Sequence, residues 1–447
     1  MNRFGQSIRM SSVCAALIAS ACSSSNDTTS DSGTPGSADA MGTDSDDASQ
    51  GSPEASTQSD ANASDDGAQS SPEASTQSDA AAADGGQEGA PSDAAGPAFN
   101  ASNVPWPDIS TLGDVTITGT CTIDTDAKQF NGLCGLTELS DGGQAYAFSS
   151  ATQSDQSTVT VLAVGSLTVT QAAEVSVQGS VPLVIVSGSN VSIQGPLIAT
   201  QPLGGSNGGG FASTATGQGG GPGGGGAGQG YYVGGGGGGY CGVGGTGANS
   251  STDSGGGAAG GVAYGSVSLS PLTGGSAGGG GSGAAGGGGR GGGAIQITAA
   301  TSILVGAGGI ISVPGDGATD NGGGGGSGGA ILLEAPVVNI QGILAANGGA
   351  ANEFNGGGTA PAGQASAVAA VNNGNPQAGA GAAGTAINGG DGSSVSANAT
   401  GGGGGAVGRI RLNTTSGSAT LGSNATLSPS ATTTCVSQGT LRSLRGM

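Results

Sequence analysis

Five acids and three arginines in the second half of the chain are the residues whose types could do chemistry. Asp316, Asp320, Glu334, Glu353 and Asp391, with Arg290, Arg409 and Arg411, are the raw material for polysaccharide cleavage. That chemistry needs one carboxyl to donate a proton and another to act as base or nucleophile, often beside Arg, Lys or calcium in a groove. The two carboxylates must come within about 6–10 Å of each other. In the sequence these acids are few, scattered and set in loops or at outward strand positions. Glu334 and Arg411 read as a solvated strand face.

Other catalytic classes are closed by composition. The chain contains no histidine, which removes Ser-His-Asp and Cys-His pairs, an imidazole base and imidazole metal ligation. Its one lysine, Lys128, lies outside any phosphate-cradling loop. G-x-S-x-G occurs at Gly274–Gly278 and Gly325–Gly329, inside tracts so rich in Gly and Ser that the match is expected by chance. Asp316 and Asp320 could offer oxygens to calcium, but the text around them lacks the tandem G-G-x-G-x-D pattern and reads as turn chemistry. No catalytic, cofactor-binding or metal-binding residue is therefore assigned, and no cofactor is expected. A net charge of −21 argues against nucleic acid as a partner, since phosphate binding needs a basic surface, and none is expected.

Cys22 is the residue with the clearest chemistry. Arg3 and Arg9 form a basic start, an apolar stretch around Val13–Ile18 follows, and Ala19-Ser20-Ala21 precedes the cysteine. Small residues before the cleaved bond suit a signal peptidase. The segment resembles a bacterial lipobox that would acylate Cys22, although Ala19 stands where leucine is usual; the same residues satisfy ordinary signal cleavage. Signal peptide 1–21 is followed by a stalk at 22–97 with no aromatic, Lys or Arg, in which SPEASTQSDA occurs twice. It is too polar to bury a core and is expected to be disordered, with a coil reach of roughly 50 Å. After lipidation of Cys22, Cys121, Cys134, Cys241 and Cys435 remain as disulfide candidates. Three pairings are possible; proximity favours Cys121 with Cys134, a loop worth about 3 kcal/mol, which leaves Cys241 with Cys435. Paired C-x₂₋₄-C spacing for zinc is absent.

The elements that must position these residues are strands. After residue 100, Val, Ile and Leu alternate with Thr, Ser and Gln, the period-2 mark of half-buried strands. One motif recurs. Leu183, Ile295, Ile331 and Ile410 align in one column, and Ile185, Ile297, Leu333 and Leu412 in the column two residues on. Val184, Gln296, Leu332 and Arg411 lie between them and should mostly face outward. Each copy holds about three short strands, and the excess length between copies always follows the third. This predicts an all-β fold over 98–447, a parallel β-helix with glycine-rich corner insertions at about 204–293, 315–329 and 348–408. A β-sandwich is the alternative. Half of residues 204–293 are glycine. They read either as a mobile loop or as packed extended chain resembling polyproline II, with Tyr231, Tyr232 and Tyr240 as contacts.

Signal segment, Ser/Asp-rich stalk, strand copies and joins such as GGGGGSGGAI together resemble the glycine-rich exported lipoproteins of Gram-negative, myxobacterial-type bacteria. PE-PGRS proteins are similar in glycine content only. The resemblance covers most of the chain and implies architecture and address rather than a reaction. The expectation is a non-enzymatic surface protein, structural or adhesive, held to the outer membrane or cell surface by lipid, or otherwise secreted. Its partners would be the membrane through the anchor and a surface polysaccharide or envelope protein. The alternative is a protein that binds or cleaves polysaccharide.

Overall fold

The structure is a computed structural model that describes residues 99–136, 144–200, 207–212, 217–250, 256–281, 287–396 and 399–443. The chain divides into two compact units, Met1–Gly86 and Gln87–Met447, and every described residue belongs to the second. The signal segment, Cys22 and the stalk lie outside the described residues. Among the described residues no helix is long and apolar enough to cross a membrane.

The strands in chain order begin with β1 (Phe99–Asn100), β2 (Asp114–Ile117), β3 (Thr120–Asp124), β4 (Gln129–Gly132) and β5 (Tyr146–Thr152). Four triplets follow: β6 (Thr158–Val164), β7 (Ser166–Val169) and β8 (Glu174–Gln178); β9 (Leu183–Ser187), β10 (Asn190–Ile193) and β11 (Pro196–Ile198); β12 (Ala294–Ala299), β13 (Ser302–Val305) and β14 (Ile310–Ser312); β15 (Ala330–Glu334), β16 (Val337–Ile340) and β17 (Ile343–Ala345). A small pair, β18 (Ser394–Ser396) and β19 (Ala399–Thr400), precedes β20 (Arg409–Thr414), β21 (Thr420–Leu421), β22 (Thr426–Ser428), β23 (Val436–Thr440) and β24 (Arg442–Ser443).

Three large sheets result, in the orders β2-β7-β10-β13-β16-β21, β22-β17-β14-β11-β8-β3-β4 and β23-β20-β15-β12-β9-β6-β5. Successive strands of a triplet lie in different sheets, and each pairs in parallel with its counterpart in the next triplet. Register follows the hydrophobic columns: Leu183, Ile295, Ile331 and Ile410 are successive partners, as are Leu197, Ile311, Leu344 and Leu427. A one-residue slip would turn every apolar side chain to the other face, so burial holds this register. The main core lies between the three sheets and is built from these columns. Each fully buried Ile or Leu in it stabilises by roughly 1.5–3 kcal/mol.

The expected parallel β-helix with glycine loops at its corners is corrected here. Two of the three large sheets are mixed, with β4 and β5 antiparallel to β3 and β6 at their edges, the sheet from β2 to β21 is wholly parallel, and β1 pairs antiparallel with β24 in a separate two-stranded sheet. The sheets are open rather than closed, and the layout of several stacked sheets fits sandwich-like folds. The reason is side-chain burial on a second face. Val184, Gln296 and Leu332, expected to face outward, do point away from the main core, yet they are fully buried. A second apolar layer covers them, formed by Ala101, Val104, Tyr240, Leu269 and Leu272, with Trp106 and Tyr264 at its margin. Alternation locates two faces of a strand, but only a covering segment decides whether the second is wet.

The glycine-rich segments are a packed body. Residues 313–319 continue from β14, and 322–329 return into β15; 346–352 continue from β17, and 400–408 lead into β20. Within 322–330, Gly324 and Ser327 donate to the 276–279 segment, Gly325 and Gly328 to 403–406, and Gly326 and Gly329 to 313–316. Carbonyls of the same stretch accept from 289–292, 235–238 and 349–352. Every third residue thus meets the same neighbour, the three-residue period of polyproline II. The segment is bonded to six others, and the N–H of every residue from Gly323 to Gly329 finds a backbone carbonyl. Segments 233–241, 322–330 and 400–408 are mutually parallel and close a ring of bonds: Gly238 donates to Gly325, Gly328 to Ala406 and Ala406 to Gly238.

Only glycine permits this spacing. A Cβ added to Gly237 would run into the Gly404 carbonyl oxygen, and one on Gly403 into that of Gly245. Of the three tyrosines expected as contacts, Tyr240 is fully buried against Tyr264, with ring centroids 4.6 Å apart. Disulfides tie both layers down. Cys121 is bonded to Cys134, and Cys241, at the end of one central glycine segment, is bonded to Cys435 just before β23.

Candidate functional site at the turn end of the glycine bundle

The acids picked out in the sequence are each engaged by a different set of residues. Glu334, at the end of β15, is buried on the second face of its sheet rather than solvated. Its carboxylate accepts from the Ser102 N–H at 3.0 Å and the Ser102 hydroxyl, from Gln296 Nε2 at 2.9 Å, from Thr298 Oγ1 at 3.2 Å and from Asn413 Nδ2 at 3.0 Å. Arg411 stands near enough to feel its charge, and burial lowers the Arg411 pKa against that attraction. Saturated in this way, Glu334 fastens the 99–106 segment to the sheet. Arg409 donates to the Tyr264 carbonyl from Nε and Nη2, at 3.3 and 3.2 Å, an anchoring role.

Asp316 sits among the glycine segments with Asn207 and Arg290 as neighbours. Burial pushes its carboxyl up to about 6, against the lowering effects of the Asn207 hydrogen bond and the Arg290 charge. An unfolded aspartate titrates near about 3.9. The folded state therefore holds the proton more tightly. Stability from this group is fully present below about pH 4 and is lost as pH rises through about 6. Urea unfolding midpoints measured from pH 4 to pH 8 should fall across that window, and Asp316→Asn should flatten the fall.

Asp320 accepts from the Asn321 N–H at 2.8 Å, and Asp391 from the Thr246 N–H and hydroxyl at 2.7 and 2.9 Å. The Gln377 amide, with its nitrogen toward Glu353, donates to both carboxylate oxygens at 3.1 and 2.7 Å. Among the described residues no group of three His, Cys, Asp or Glu is placed to hold a metal ion. The serines of the two G-x-S-x-G matches are buried linkers: Ser327 Oγ accepts from the Ser276 N–H, and Ser276 Oγ donates to Tyr264 Oη at 3.0 Å.

What the fold does bring together is a set of turns. The central segments are parallel, so their starts at Val233, Gly322 and Thr400 face one end of the bundle. Tyr231 and Tyr232 form the turn before the first, Asp320 and Asn321 the turn before the second, and Glu353-Phe354-Asn355 a third turn beside them. Phe354 donates its N–H to the Thr400 carbonyl at 2.8 Å, and its ring meets Tyr232 edge-on at 4.7 Å. Tyr231 adjoins Tyr232 at 6.4 Å and is 76% exposed. Tyr232, Asn321 and Asn355 have positive φ, at 59°, 41° and 63°. That backbone is uncommon outside glycine and costly for a bulky tyrosine, and such strain concentrates at functional surfaces. A groove of about 440 Å³ opens at the same end, lined by Thr246, Ala248, Asn249, Gly257, Gly392 and Ser393 among others.

Of these residues the sequence points only to Tyr231 and Tyr232, as contacts in the glycine tract, and not to Phe354, Asn321 or Asn355. Their signal was available: isolated aromatic or Asn residues where glycine runs break mark the points at which extended chain turns back. No known protein family, curated protein or solved structure matches the chain.

Proposed function

We propose that this is a non-enzymatic surface protein, structural or adhesive, held to the outer membrane by acyl groups on Cys22 and carrying its glycine bundle as a rigid display body. The observation that supports this best is the shared direction of the bundle's turns. Three unrelated stretches of chain, around 231, 321 and 354, are delivered to one end by segments about 25 Å long at 3.1 Å per residue. Segments bonded on six sides hold those turns stiffly. Each insertion leaves from the sheet of β11, β14 and β17 and returns to the sheet of β12, β15 and β20.

The acids support presentation better than cleavage. Glu334 is spent on five donors, and Asp391 and Glu353 are spent on Thr246 and Gln377. Three measurements test the reading. Radiolabelled palmitate should enter the wild-type chain and be lost in Cys22→Ser. Deleting the gene should reduce attachment of the producing cells, and external protease should remove the protein from intact cells. Normal attachment together with full protection from protease would refute it.

A further inference from the structure

We infer that the turn end of the glycine bundle is a binding platform for neutral polysaccharide, with Tyr231 as its stacking surface. The inference rests on the surface-protein reading and gives that surface a ligand class. Tyrosine offers an apolar ring face together with a polar edge, which suits the mixed faces of a sugar ring. Tyr231 is mostly exposed, while Tyr232 and Phe354, packed edge to face beneath it, keep the turn from collapsing. Binding sites combine such apolar area with a few polar groups that fix orientation. Here the polar groups are Asn321, Asn355 and the Thr246–Asn249 wall of the adjoining groove.

Charge selects among sugars. Among the described residues, the turns at this end contribute Asp320, Glu353 and Asp391 and no lysine or arginine. Arg290, the base on the glycine segments, stands beside Asp316. A polyanion such as a uronate polymer or a phosphorylated lipid sugar would meet like charge and no counter-charge. A neutral chain meets no such penalty. It can lie along the groove, with one residue stacked on Tyr231 and its hydroxyls toward the amides.

The test uses the full chain and three soluble probes: a neutral β-glucan, a neutral mannan and polygalacturonate. At least one neutral probe should bind, and polygalacturonate should bind more weakly. Tyr231→Ala should weaken binding about tenfold, while Tyr231→Phe, which keeps the ring, should stay close to wild type. Val337→Ala, a truncation at a 56% exposed apolar residue on β16, should change nothing. Melting curves of both Tyr231 variants are recorded beside wild type, and binding is compared at equal folded fraction, so a folding defect would not mimic the result. The platform is overturned if folded protein binds no neutral probe, if polygalacturonate binds more tightly, or if Tyr231→Ala binds like wild type. Loss of cell attachment on deletion, with no neutral probe bound, would strike this site and spare the surface reading. Normal attachment with intact glucan or mannan binding would strike the surface reading and spare the site.

Discussion

Alanine at Gly403 or Gly237 should destabilise the folded unit by about 3 kcal/mol or more, the cost of forcing atoms into a closed packing. The neighbour in each case is a backbone carbonyl, Gly245 for the first and Gly404 for the second, and a carbonyl held by hydrogen bonds cannot step aside as a side chain can. One displaced segment also breaks bonds to several others, because each central segment is bonded on six sides. Gly357→Ala is the control. It lies in an open turn with nothing within 4 Å of an added Cβ, and alanine there should change stability by about 0.5 kcal/mol or less. Urea unfolding followed by intrinsic fluorescence of Tyr and Trp106 distinguishes the cases. Equal midpoints for Gly403→Ala and Gly357→Ala would mean that the glycine body is loosely packed.

Glu334→Ala should cost about 4 kcal/mol, within the range for removing one member of a buried charged network. The substitution strands donors from Ser102, Gln296, Thr298 and Asn413 in a dry layer and leaves the neighbouring Arg411 without its counter-charge. Unpaired buried donors carry their full desolvation penalty. Glu334→Gln keeps one acceptor oxygen and should lose less. The damage should begin at the 99–106 segment, so limited proteolysis of Glu334→Ala should cut near Ser102 before wild type is cut there. If Glu334→Ala unfolds at the wild-type urea concentration and resists protease equally, the carboxylate does not fasten that segment.

Different parts of this molecule were legible to different depths. Leu183, Ile295, Ile331 and Ile410 align in the sequence and are successive neighbours in the sheet. Period-2 alternation and repeated glycine joins carry that information locally. The same alternation misplaced Glu334, because its neighbours Ser102 and Asn413 lie far away in sequence and nothing near residue 334 announces them. Fold class failed for a related reason. In-register parallel columns fit a helical winding and a stack of open sheets equally well at the level of one motif. The antiparallel edges β4 and β5, and the layer around Tyr240 and Leu269, separate the two. Phe130, Tyr146 and Phe148, whose rings meet at 4.8–5.8 Å along those edges, carried no periodic signal.

The order of residues alone was enough for an all-β domain, for the strand columns and their register, and for the absence of any histidine. These follow from composition and from contacts of short period. The partners of each glycine segment, the burial of Glu334 and the meeting of Tyr231, Tyr232, Asn321 and Phe354 at one end were decided only in three dimensions. Glycines are chemically identical, so a run of them cannot encode which neighbour it will bond. That choice is made by where the flanking strands leave each segment and by the one spacing at which every backbone donor finds an acceptor.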